Sequence, residues 1–145
     1  MRGSAAVARP DMAQQFLAFD FGTKRVGAAT GNSLLRRAEP LTTISATGDL
    51  RFAAIARLIN QWRPDALVVG VPFHPDGAAH ENTERARRFA RQLHGRFRLP
   101  VHEVDERWTT TAARADGARD VDAGAAALIL TQYLQQLAED GDAAA

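Results

Sequence analysis

Residues 66–73, ALVVGVPF, form an unbroken apolar run of strand length. A strand that shows neither face to water belongs inside a sheet covered on both sides. That arrangement implies parallel neighbours reached by crossover helices. Helical patterns flank the run. On its N-terminal side, Gly48-Asp49 opens a segment in which Phe52, Ile55, Ile59 and Trp62 repeat with a 3.6-residue period until Pro64-Asp65 stops it. On its C-terminal side, after the loop HPDGAAHEN, residues 82–97 place Ala86, Phe89, Ala90, Leu93 and Phe97 on one side of a second helix.

The remaining segments complete the pattern. FLAFDFGTKRVGAATG reads as two strands, 16–21 and 25–30, joined through Gly22, and 40–44 is a third short strand. PVHEVDE, residues 100–106, is another strand, and 121–137 a last helix. The order βββαβαβα predicts an α/β fold, a mixed five-stranded sheet with helices on both faces. The 145-residue length fits one domain, placed at 16–138 between a disordered N-terminal extension, 1–15, and a disordered polar tail, 139–145.

Composition narrows the chemistry. There is no cysteine, so disulfides and thiolate metal sites are excluded. No apolar run approaches the roughly 18 residues of a membrane span, and the first residues lack the apolar centre of a signal peptide. The expectation is a soluble cytoplasmic protein. A net charge of +1 favours no partner class. The 17 Arg against a single Lys suit phosphate recognition, although the codon usage of a GC-rich genome accounts for the ratio better.

The first strand is apolar until Asp20, and a buried carboxylate without a partner costs several kcal/mol. Asp105-Glu106 ends the strand PVHEVDE in the same manner, and Asp122 lies in the first turn of the last helix. In open α/β sheets, sites form beyond the carboxyl ends of the parallel strands. Acids converging there need cations between them, and oxygen donors without His or Cys suit magnesium or manganese. Two such ions about 4 Å apart support phosphodiester hydrolysis. Taken singly, the acids have plainer explanations. Asp20 could pair with Lys24 or Arg25, Asp105-Glu106 with Arg107, and Asp122 could cap its helix.

The stretches FLAFDFGTKRVGAATG, VVGVPFHPDGAAHENTERARRFARQL, VDERWTT and VDAGAAALIL together resemble the YqgF/RuvX family, in the family's order and over nearly the whole chain. The resemblance implies the RNase H-like fold, related to the RuvC Holliday-junction resolvases. It further implies a nuclease that processes the 5′ end of precursor 16S rRNA, with metal-site roles for Asp20, Asp105-Glu106 and Asp122. Which of Asp105 and Glu106 faces the metal stays open, because Val101 and Val104 fall on opposite strand faces. The segment AARADGARD departs from the family, being short and without its lysines, and this bears on substrate grip.

Lys24, Arg25 and Arg107 beside the acids, and Arg87 and Arg91 on a basic ridge of the second helix with Arg88 and Arg98, are the candidate phosphate contacts. A solvated helix face is the competing reading of that ridge. Thr109, Thr110 and Thr111 read as helix-capping hydroxyls. His74, His80, His94 and His102 lack metal-ligand spacing and read as loop or surface residues. Structured RNA is the favoured partner, bound by a monomer or homodimer. Three alternatives are a dimeric resolvase of DNA junctions, a catalytically silent RNA-binding ribosome-assembly factor, and an ATP binder of the sugar-kinase/actin type. The last needs two such domains, where this chain supplies one.

Overall fold

The computed structural model describes residues 13–108 and 120–144. Its elements run β1 (Gln15–Asp20), β2 (Val26–Asn32), β3 (Arg37–Ile44), α1 (Gly48–Trp62), β4 (Ala66–Val71), α2 (Thr83–Phe97), β5 (Val101–Asp105) and α3 (Val121–Ala144). The five strands form one sheet in the order β3-β2-β1-β4-β5. β1 and β2, and β2 and β3, pair antiparallel. β4 lies parallel between β1 and β5, as its two-sided apolarity requires.

Alternation of side chains divides the core into two layers. Odd-numbered residues of β1 and β4 (Leu17, Phe19, Leu67, Val69) pack under α1 and α2 with Phe52, Ile55, Phe89 and Leu93. Even-numbered ones (Phe16, Ala18, Ala66, Val68), with Val104 of β5, pack under α3 against Ile129, Leu130 and Leu134. The expected helices on both faces are therefore present.

Several boundaries move, each for a local reason. β4 ends at Val71, because Pro72 has no N–H for the ladder; Phe73 instead makes an isolated bridge to Ala79. β3 begins at Arg37, earlier than its apolar part shows, and accommodates Pro40 at the sheet edge opposite a register shift between Ala28 and Ala29. α3 continues to Ala144, past the expected end at Leu137 and through residues assigned to a disordered tail. Arg98 belongs to no basic helix face: it stands at φ 58° beyond the end of α2, its N–H donating to the His94 carbonyl. His102 is not a surface residue either. It is half-buried, its ring stacked on Tyr133 of α3 at 5.2 Å. Thr109–Thr111 and residues 112–119, which include most of the short AARADGARD segment, lie outside the described residues, as do residues 1–12.

Candidate active site

Asp20 ends β1 and is 8% exposed. Its even number turns it toward the α3 side of the sheet. In register it stands between Gly27 of β2 and Gly70 of β4. Both glycines permit close approach. A β-carbon on Gly27 would lie 1.8 Å from the carbonyl oxygen of Asp122, so the first turn of α3 rests directly on the β2 backbone. A β-carbon on Gly70 would lie 2.3 Å from Cδ1 of Ile129 and 3.0 Å from Cγ of Glu106. Glu106 thus extends over Gly70, on the face that holds Asp20, and the start of α3 crosses the strand on the other side of Asp20.

Asp105 points the other way. With Glu103 it occupies the α2 face of β5, and Arg107 clasps it: Nη2 and Nε donate to Oδ2 at 2.8 and 3.0 Å, and the Arg107 backbone N–H donates to Oδ1 at 2.9 Å. The side-chain hydrogen bond from Arg107 holds the Asp105 carboxyl below the usual carboxylate range. The alternation that the sequence left undecided therefore resolves in favour of Glu106 as the neighbour of Asp20.

Asp122 does not cap its helix. That task falls to Asp120, whose Oδ1 accepts from the Ala123 N–H at 3.0 Å and from the Thr43 hydroxyl, while its carbonyl accepts from Gly124 N–H. The Asp122 carboxylate is instead paired with Arg25, Nε to Oδ2 at 2.9 Å. Arg25 and Lys24 belong to the turn between β1 and β2.

The expectation of acids gathered at one point needs correction. Among the described residues, no three His, Cys, Asp or Glu side chains stand close enough together to hold a metal ion. The reason is visible in two contacts: Asp105 is turned across the sheet to Arg107, and Arg25 lies on Asp122. The donor types themselves, carboxylate oxygens alone, suit a hard divalent cation, and Asp20, Glu106 and Asp122 share a face.

The remaining predicted phosphate contacts sit on the α2 side. Arg87 pairs with Glu103 at 3.4 Å, and Arg91 with Glu84 at 2.6 Å. The guanidinium carbons of Arg87 and Arg107 lie 5.4 and 5.7 Å from the Phe73 ring centroid. Each of these arginines thus has an acid partner within its own layer, and the sheet lies between Arg87 and Arg91 on α2 and the face that holds Asp20. Two residues of the site region escaped sequence reasoning. Asp120 carried a signal, a capping-type residue immediately before the helix, but Asp122 competed for it. Arg51 carried none; it is buried beneath the β1–β2 turn.

A three-layer fold with this sheet order, and acids at the carboxyl ends of β1 and β5, defines the class of RNase H-like proteins. Within that class the chain belongs to the RuvX family, described as "RuvX: Holliday junction resolvase", which it matches over residues 14–136. A protein of Albidiferax ferrireducens named "Putative pre-16S rRNA nuclease" is 68% identical over 124 residues, covering 86% of this chain and 80% of that protein. One of the same name from Polaromonas sp. is 62% identical over 124 residues, covering 86% and 90%. Among solved structures, "T. thermophilus RuvC in complex with Holliday junction substrate" superposes with a TM-score of 0.53 at 16% identity, covering 83% of this chain and 93% of that one. This likeness speaks to the fold alone.

Proposed function

We propose that this chain is a cytoplasmic nuclease that hydrolyses phosphodiester bonds of structured RNA, namely the 5′ region of precursor 16S rRNA, with magnesium or manganese as its cation. The observation that carries the reading is the placement of Asp20, Glu106 and Asp122 on one face of one sheet end, over Gly27 and Gly70. The names of the similar proteins support the RNA substrate over a DNA junction.

Asp20 and Glu106 are the residues that would hold the cation, joined by Asp122 once its carboxylate exchanges Arg25 for the ion. When bound, a divalent ion supplies an acidified water and charge stabilisation of the leaving oxygen. The chain's own part is organisation. The β1 strand holds Asp20 rigidly because five of its six residues are buried. The α3 cap at Asp120 leaves the Asp122 carboxylate available to Arg25 or to a ligand. Arg25 and Lys24, in the turn that follows Asp20, supply the positive charge that a phosphate backbone requires. Among the described residues no helix is long and apolar enough to cross a membrane.

The test is a cleavage assay with magnesium on a pre-16S leader transcript and on a four-way DNA junction. The expected result is cleavage of the transcript by the wild type and no cleavage by Asp20→Asn, with the junction intact. Junction cutting alone would transfer the activity to DNA. Equal turnover by wild type and Asp20→Asn would remove Asp20 from the mechanism.

A further inference from the structure

Arg51 stands in the first turn of α1 and is only 6% exposed. Among the described residues, no carboxylate pairs with it. Its Nε donates to the carbonyl of Ala46 at 3.0 Å and its Nη2 to the carbonyl of Thr23 at 3.1 Å. The guanidinium carbon lies 5.7 Å from the centroid of the Phe21 ring. A buried cation loses its hydration, which is an expensive way to fill space beside a layer built from apolar side chains. Its contacts show what the position does. Ala46 belongs to the β3–α1 connection, and Thr23 is the middle of the β1–β2 turn. Phe21, directly after Asp20, packs on both Arg51 and Phe89. The next two residues after Thr23 are Lys24 and Arg25, and Arg25 reaches Asp122.

We propose that Arg51 is a positioning residue: by clamping the Thr23 carbonyl and the Phe21 ring it fixes the β1–β2 turn so that Lys24 and Arg25 face the nucleic-acid backbone. This rests on the proposed function for the identity of the ligand, though not for the clamp itself. A turn held only by its own backbone would spread those two long side chains over many orientations, and each phosphate contact would then carry the cost of ordering them.

The experiment measures binding of a fluorescently labelled pre-16S leader transcript over a series of salt concentrations, in EDTA so that no cleavage intervenes. The proteins are wild type, Arg51→Gln, Arg51→Lys, Lys24→Gln/Arg25→Gln and the triple variant. Arg51→Gln is expected to weaken binding roughly fivefold, the size of one net hydrogen-bond contribution. It should also flatten the salt dependence by up to about one slope unit per lost phosphate contact. Arg51→Lys, which keeps a donor for the Thr23 carbonyl, should recover part of both. In the Lys24→Gln/Arg25→Gln background, Arg51→Gln should weaken binding no further, because it acts through those residues. A lowered melting temperature with wild-type affinity and salt slope would overturn the proposal, as would an additive loss in the triple variant. Amide hydrogen exchange supplies a readout independent of any ligand. Faster exchange at residues 22–25 in Arg51→Gln, with unchanged protection in β1 and β4, supports the clamp, and unchanged exchange refutes it. A wild type that binds neither transcript nor junction would overturn the proposed function and leave the clamp to be judged by exchange.

Discussion

Replacing Gly27 with Ala tests the joint on which the site depends. A β-carbon there would meet the Asp122 carbonyl oxygen at 1.8 Å, its carbonyl carbon at 2.2 Å and the Ala123 nitrogen at 2.8 Å. All three are backbone atoms, so no rotamer change relieves the overlap. Ordinary contact begins near 3.4 Å, so the first turn of α3 must retreat by about 1.5 Å. Overpacking that side chains can absorb costs about 1–3 kcal/mol. Here the retreat also strains the Asp120 cap, worth about 1 kcal/mol. The expected destabilisation is therefore about 3 kcal/mol. Because a displacement of about 1 Å can cost a hundredfold in rate, turnover should fall by at least that factor. Urea unfolding followed by circular dichroism gives the first number, and cleavage measured well below both melting temperatures gives the second. Gly95→Ala is the control: nothing lies within 4 Å of its β-carbon, so it should leave turnover intact and stabilise α2 by about 0.5–1 kcal/mol. A Gly27→Ala protein with the wild-type unfolding midpoint and turnover would refute the close approach of α3 to β2.

The division of labour at the start of α3 predicts opposite phenotypes for its two acids. Asp120→Ala should lower stability by about 1 kcal/mol in urea unfolding. Asp122→Asn should change it little, since the pair with Arg25 is partly exposed, yet should abolish cleavage; the reverse pattern would return Asp122 to a capping role. His102 gives a pH signature. Burial against Tyr133 holds its pKa below the ordinary value near 6.5, so the unfolded chain takes up the proton first. Its stabilising contribution is complete above about pH 6.5 and declines as pH falls toward the folded value. Unfolding curves of wild type and His102→Phe should therefore diverge only on the acid side, and parallel profiles would contradict this.

The layer order was readable because β1 and β4 are apolar on both faces, and that property forces parallel pairing and crossovers. The strand-end acids were readable because Asp20 interrupts such a run. The choice between Asp105 and Glu106 was not. β5 is an edge strand with Val104 as its one buried residue, so its alternation carries too little hydrophobic contrast to fix a face. Two aspartates flanking Val121 both fit a helix start, and only the position of the first turn separates them. Arg51 adjoins Phe52 in an amphipathic helix, where an arginine ordinarily faces water; its burial follows from the tertiary placement of the β1–β2 turn. The arginine ridge of α2 was legible as a pattern, and Glu84 lies seven residues from Arg91 on the same helix. Glu103, the partner of Arg87, comes from β5, and only the packing of α2 on that strand brings the two together.

The central claim is that Glu106, and not Asp105, works with Asp20. The most direct measurement is the single-turnover cleavage rate of the pre-16S leader transcript, with magnesium, by Glu106→Gln and by Asp105→Asn. Glu106→Gln should lose at least about a hundredfold in rate, as removal of one group that stabilises developing charge does. Asp105→Asn, which breaks only the clasp with Arg107 on the far face of the sheet, should stay within about threefold of wild type. An Asp105→Asn protein that has lost cleavage, beside a Glu106→Gln protein that keeps it, would contradict the account.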